Sequence, residues 1–221
     1  MDKPLLVIGN RNYSSWSLRA WLALAKSGAA FDVERLPLDT PRFHAEIGRY
    51  SPTRRVPVLL HGGRTVWDSL AIAEYVNEVF AGGGLWPADQ AARAHARSAS
   101  AEMHAGFAAL RAQMPMNCRA QGRTVARAPA LARDIARITA LWGECRERFG
   151  QTGPWLYGEF SVADAMFAPV ASRFRTYGET LAGAAADYAA TVMDDPHVRA
   201  WMADAAREPE VVEADEAGLD G

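Results

Sequence analysis

Eight residues at 81–88, Ala-Gly-Gly-Gly-Leu-Trp-Pro-Ala, divide this 221-residue chain into two halves that cannot fold alike. Glycine gives up too much backbone freedom, and proline lacks the amide donor, for a helix or a strand to run through such a stretch. Upstream, apolar residues switch between the strand and the helix period. Downstream they keep the helical period alone.

In the upstream half, Leu5-Leu6-Val7-Ile8 is a short buried-strand run closed by Gly9-Asn10. Leu18, Trp21, Leu22 and Ala25 follow helical spacing across 15–27, with Gly28 as a stop. Phe31, Val33 and Leu36 predict a second strand, and a short helix is expected at about 41–48. Residues 56–60 and 65–67 read as a hairpin around His61-Gly62-Gly63-Arg64. Asp68-Ser69 then opens a helix carrying Ile72, Val76 and Phe80. The order is βαβ, a connecting helix, then ββα.

In the downstream half, ten of the 22 residues from 91 to 112 are alanine, the best helix former. Met103, Phe107, Leu110 and Met114 give that helix an apolar seam at steps of 4, 3 and 4. Leu131, Ile135, Ile138, Trp142, Cys145 and Phe149 repeat the device, which puts Cys145 in a core and out of chemistry. At Ser161-Val162-Ala163-Asp164 a hydroxyl precedes an acid by three, a short-armed variant of the capping box. Met166, Phe167, Val170 and Phe174 follow as a buried face, and two more helices are expected at about 179–193 and 195–206. The fold class is an α/β domain over 1–80, a linker over 81–90 and an all-α domain over 91–206.

Composition narrows the function classes. With 24 Lys+Arg against 26 Asp+Glu, the chain lacks the basic balance of a nucleic-acid binder. Six acids and one arginine fall in 207–221, which reads as a solvated acidic tail, so residues 1–206 carry +3. Arg119, Arg123, Arg127, Arg133 and Arg137 read as a solvated helix face, because no aromatics interleave them for base stacking. Two cysteines, Cys118 and Cys145, make neither a disulfide framework nor a metal-ligand pair. The five histidines have no metal spacing, and His95 and His104 read as helix-surface residues. No apolar run reaches membrane-spanning length, and the N-terminus lacks a signal-peptide pattern, so a cytoplasmic setting is expected.

Three places carry candidate chemistry. Asn10 to Ser17 joins the first strand to the first helix, where helix N-terminal amides favour an anion and a hydroxyl can lower a thiol pKa. Ser14 or Ser15 is equally read there as a helix cap. Val56-Pro57 opens the third strand; a cis bond would turn the Val56 backbone outward toward an extended ligand, and a trans bond would make a plain strand entry. Asp68-Ser69 can receive an amino-acid-like group, the amine on Asp68 and the carboxylate on Ser69, or can simply cap its helix. The Ser161/Asp164 pair is read as structural.

Four stretches in this order resemble the soluble glutathione transferase superfamily, over roughly residues 5–206. They are Tyr13-Ser14-Ser15-Trp16-Ser17-Leu18-Arg19; Ser51-Pro52-Thr53-Arg54-Arg55-Val56-Pro57-Val58-Leu59; Trp67-Asp68-Ser69-Leu70-Ala71-Ile72; and the run from Leu156 through Asp164. The pattern is similar to bacterial serine-type members. The resemblance implies a thioredoxin-like N-terminal domain, a helical C-terminal domain, a homodimer, and glutathione as co-substrate without a metal. It implies conjugation of glutathione to small hydrophobic electrophiles, a detoxification chemistry; the alternatives are a glutathione-dependent isomerase or peroxidase, or a non-catalytic glutathione-fold binding module. By the same resemblance Val56, before a cis Pro57, pairs through its backbone with the cysteinyl part of glutathione. Asp68 and Ser69 receive the γ-glutamyl end, with Asp68 shorter than the family's usual Glu or Gln, and Arg55 lies near the glycine carboxylate. Ser14 stands where cysteine-type members carry their active cysteine; Ser15 is the second candidate to contact the thiol and Asn12 the third. Met103, Phe107 and Met114 are candidates to line an apolar electrophile cleft between the domains, with packing against neighbouring helices the better account of most of them.

Overall fold

A computed structural model describes residues 2–218. Strands β1 (Leu5–Ile8), β2 (Asp32–Arg35), β3 (Val58–His61) and β4 (Arg64–Trp67) form one sheet in the order β2-β1-β3-β4. β1 and β2 are parallel, so a crossover must join them, and helix α1 (Ser15–Ser27) is that crossover. β3 is antiparallel to both neighbours, and β4 returns through a hairpin in which Gly62 and Gly63 both take positive φ, 54° and 74°. A two-residue turn of that hand matches the strand twist and needs residues without a Cβ penalty.

The two-residue side-chain period sorts the sheet faces. Leu6, Ile8 and Leu59 point to one side, into a core shared with α1 and α3 (Ser69–Val79). Val7 and Val58 point to the other, where Leu36, Phe43 and Ile47 cover them by way of α2 (Pro41–Glu46). The N-terminal unit is therefore a thioredoxin-like α/β layer with helices on both faces.

The rest is helical: α4 (Gln90–Ala105), α5 (Ala108–Gln113), α6 (Pro129–Phe149), α7 (Val162–Thr176), α8 (Gly183–Asp194) and α9 (Pro196–Ala206). α7 is almost wholly buried, with α1, α4 and α8 packed around it. Its start is fixed by Asp164, whose Oδ2 accepts from the Ser161 amide at 2.7 Å and the Ser161 hydroxyl at 2.9 Å. Since α1 leans on α7, one apolar core runs without a break from the sheet into the helices. This continuity makes the β1–α1 loop a junction between the domains.

Within the framework the structure departs from the sequence expectations at the alanine-rich seam, the acidic tail and the arginine cluster. The alanine-rich seam is not one helix. It breaks at Gly106, and Phe107 restarts it from a left-handed φ of 61°. Any Cβ at 106 would stand 2.8 Å from the Glu102 carbonyl oxygen, so glycine is required where the chain turns. Gly106→Ala is expected to lose about 1–3 kcal/mol in urea unfolding, through overpacking against a fixed backbone.

The acidic tail is not a solvated end. Residues 208–216 fold back on the N-terminal domain: Glu208 is 8% exposed, and its carboxylate accepts from the backbone amides of Arg11 (2.9 Å) and Asn12 (3.1 Å). Asp220 lies outside the described residues. Nor are Arg119 and Arg123 on a solvated helix face; both lie in the irregular stretch between α5 and α6 and hold this tail. Charge complementarity over long sequence distance, invisible to local periodicity, overrides the local signal.

Candidate active site

Two cavities flank the junction. The wider, about 400 Å³, is lined by Tyr13, Ser14, Ser15 and Trp16 from the start of α1, Leu38, Asp39 and Phe43 around α2, and Arg54, Arg55 and Val56 before β3. The helical domain and the tail close it with Arg111, Pro115, Met116, Arg173 and Asp215. The narrower, about 350 Å³, lies beside Pro57, Trp67, Asp68, Ser69 and His104. Trp16, Arg55 and Val56 line both, so the two form one groove across the carboxyl end of the sheet.

Ser14 caps α1: its Oγ accepts from the Ser17 amide at 3.3 Å and lies 2.7 Å from the Ser17 hydroxyl. The Ser17 hydroxyl oxygen accepts from the Gly9 amide at 3.1 Å. Ser17 can donate its proton to Ser14, and in that arrangement the Ser14 hydroxyl proton is left for the cavity. Ser15 Oγ accepts from Arg173 Nη2 at 3.2 Å, so its proton is free as well. Asn12 is fully buried, donates to Asn117 Oδ1 and accepts from the Arg119 amide, each at 2.9 Å, and lines neither cavity. It anchors the loop.

At the other end of the groove, Asp68 adopts a φ of 74° and caps α3, Oδ1 accepting from Leu70 N at 2.9 Å. Ser69 is 1% exposed, and its Oγ has no hydrogen-bond partner among the described residues. A buried hydroxyl without a protein partner, at the edge of a cavity, is free to bond a water or a ligand there. The Val56–Pro57 bond is cis, and Val56 precedes the sheet ladder, which begins at Val58. His104, read from the sequence as a surface residue, instead reaches Asp68 Oδ2 at 3.1 Å and stacks edge-on against Trp16. Nothing local foretells that pair, because its members are on different domains.

Met103, Phe107 and Met114 line neither cavity; each is packed in the core. Met103 faces inward on α4, and after the break at Gly106 it is Arg111 of α5, not Phe107, that reaches the groove. Core packing, the better account of most of them in the sequence, holds for all three, and the helical-domain wall is made instead by Arg111, Pro115, Met116 and Arg173, two of them cationic. Burial, reinforced by the neighbouring Arg111 charge, pulls Arg173 down to about 10. Burial pushes the Asp215 carboxyl up to about 6, against the pull of Arg173.

The protein's own thiols are out of play. Burial pushes Cys118 up to about 12 and Cys145 up to about 11. Cys118 nevertheless sits closer to the loop than its position in the helical domain suggested, its amide donating to the Asn12 carbonyl at 3.1 Å. The Tyr13 hydroxyl is committed to Glu216, donating at 2.6 Å while accepting from Arg119. Burial first, and Glu216 second, raise its pKa, so it is a poor proton source. Among the described residues no group of three or more His, Cys, Asp or Glu is placed to hold a metal ion, and no helix is long and apolar enough to cross a membrane.

Residues 13–79 match the profile "Glutathione S-transferase, N-terminal domain", and residues 128–204 match "Glutathione S-transferase, C-terminal domain". A dichloromethane dehalogenase of Methylorubrum extorquens is 58% identical over 38 residues, 17% of this chain and 13% of that protein. A probable maleylacetoacetate isomerase of Caenorhabditis elegans is 31% identical over 106 residues, 48% of this chain and 49% of that protein. The matched stretches thus span about half or less of these relatives' lengths. Among solved structures, a glutathione transferase homologue from Burkholderia BGR1 with bound glutathione superposes with a TM-score of 0.69 at 22% identity, over 92% of this chain and 98% of that one. That likeness is one of fold.

Proposed function

Because this chain belongs to the glutathione S-transferase family, we propose that it is a glutathione transferase that ionises the glutathione thiol and presents it to a small electrophile. The observation that carries this reading is the continuous groove. It runs from the unpartnered Ser69 hydroxyl, past Val56, to the Ser14 and Ser15 hydroxyls at the N-terminus of α1.

In this reading Ser69, at the N-terminal end of the α3 dipole, takes the γ-glutamyl carboxylate, and Asp68, steadied by His104, takes the amine. The Val56 backbone pairs with the cysteinyl unit, and Arg55 faces the glycine carboxylate. Glutathione supplies the sulfur that forms a bond to the electrophilic carbon as the leaving group departs with its electron pair. Ser14 donates a hydrogen bond to that sulfur, and the α1 dipole adds to it, so the thiol proton is released to solvent before the bond forms. Ser15 is the second donor. The 31% identity to the probable isomerase favours, as a second reading, addition of the same thiolate to an unsaturated acid followed by its elimination. A homodimer in the cytoplasm belongs to the proposal too, and light scattering tests its mass.

Retention on immobilised glutathione tests the groove. Ser69→Ala is expected to weaken binding about tenfold or more, since a hydrogen bond to a charged group is lost. Ultraviolet titration of bound glutathione tests the ionisation: a thiol pKa below the free value of about 8.5 is expected. Binding without that shift would leave a non-catalytic glutathione-binding module and end the transferase reading.

A further inference from the structure

The charge lining the wider cavity is out of balance. Four arginines, Arg54, Arg55, Arg111 and Arg173, face it with two carboxylates, Asp39 and Asp215. Arg54 and Arg55 are exposed on the loop before β3, on the side where glutathione's glycine carboxylate is placed by the transferase reading, on which this inference rests. Arg111 and Arg173 stand on the wall contributed by the helical domain. They lie beyond Ser14 and Ser15, where the second substrate must sit.

These two guanidiniums are spent on neutral groups. Arg173 is 3% exposed and donates to the Met114 carbonyl (2.8 Å), the Pro169 carbonyl (3.4 Å) and the Ser15 hydroxyl (3.2 Å). Arg111 donates to the carbonyls of Gly106 (3.0 Å), His104 (3.4 Å) and Met103, and its Nη1 is buried with no partner among the described residues. Neither forms an ion pair among the described residues. Asp134, the acid whose charge bears on Arg111, accepts from the Leu110 amide at 3.0 Å. Behind them Arg19 is fully buried, all three of its guanidinium nitrogens unpartnered among the described residues, and it lies 4.5 Å from the Trp16 ring centroid, against 4.7 Å for Arg111. Buried cations that are hydrogen-bonded but not neutralised are costly, and an anion entering the cavity relieves them. A planar carboxylate matches the guanidinium fork.

We propose that the electrophile this protein accepts carries a carboxylate, received by Arg111 and Arg173, and that Asp215 is the resident charge competing for the same arginines. A neutral, wholly apolar electrophile leaves the arginines unneutralised and is a poor substrate.

Two conjugates test this without needing turnover: S-(4-carboxy-2,6-dinitrophenyl)glutathione and its carboxamide counterpart, which differ only in the charge at the far end. Calorimetry on the wild-type protein is expected to give about tenfold or tighter binding for the acid. Arg111→Gln should bring the two within about threefold, while Asp215→Asn should tighten the acid several-fold and leave the amide unchanged. Equal binding of the two conjugates by wild type, or binding of neither, overturns the proposal. So does an Asp215→Asn variant whose acid affinity is unmoved, and that outcome is decisive even if an arginine variant fails to fold. The thiol titration keeps the two readings apart. A lowered glutathione pKa with equal conjugate binding removes only the carboxylate proposal; an unshifted pKa removes the transferase reading beneath it.

Discussion

Replacing Ser14 by alanine is expected to lower kcat/KM for glutathione conjugation by about 10²-fold, the usual consequence of losing one donor aimed at developing or resident negative charge. The bound thiol pKa should climb back toward its free value of about 8.5 in the same variant. Ser14 also caps α1, so alanine is expected to cost about 1 kcal/mol of stability as well. Ser14→Asn separates the two roles, because asparagine supplies a capping oxygen and no hydroxyl. The expected result is near-wild-type unfolding with the kinetic loss retained. Full activity in both variants would pass the role to Ser15, whose own substitution would strand Arg173 Nη2.

The second large effect concerns a residue far from the groove in sequence. Glu208→Ala removes the acceptor of two loop amides at once and leaves the Arg11 and Asn12 N–H groups without partners inside the fold. Each unsatisfied buried donor costs about 1–3 kcal/mol, so a total loss of about 2–6 kcal/mol is expected in urea unfolding. The loop ends at Ser14, so kcat/KM should fall with stability. Glu213→Ala, an exposed acid of the same tail, serves as the control and should stay within about 0.5 kcal/mol of wild type. An equal, small effect at both positions would mean that the tail is only resting on the domain.

Much of the framework is legible in the residues. The apolar run Leu5–Ile8, the glycine pair of the hairpin, and the Ser161/Asp164 cap are local signals, and local physics decides them. The candidate groove residues Ser14, Val56 and Ser69 are legible for the same reason, since each sits at a strand end or a helix start. What escaped was non-local. The pairing of His104 with Asp68 needs two domains to be docked. The destination of the tail depends on Arg35, Arg119 and Arg123 converging from separate segments, and an acid count registers only that the stretch is charged. The cationic wall was missed likewise: Arg111 and Arg173 are 62 positions apart and share no periodic pattern.

The bond from Glu208 to Arg11 spans 197 positions of chain. Synthesis runs from the N-terminus, and domains fold largely as they emerge. The sheet and its first helix are therefore made long before the carboxylate that steadies the loop between them. A nascent chain of residues 1–80 carries every strand of the sheet but not the carboxylate that holds the amides of Arg11 and Asn12. That tether of the loop is thus set only once residue 208 has been made.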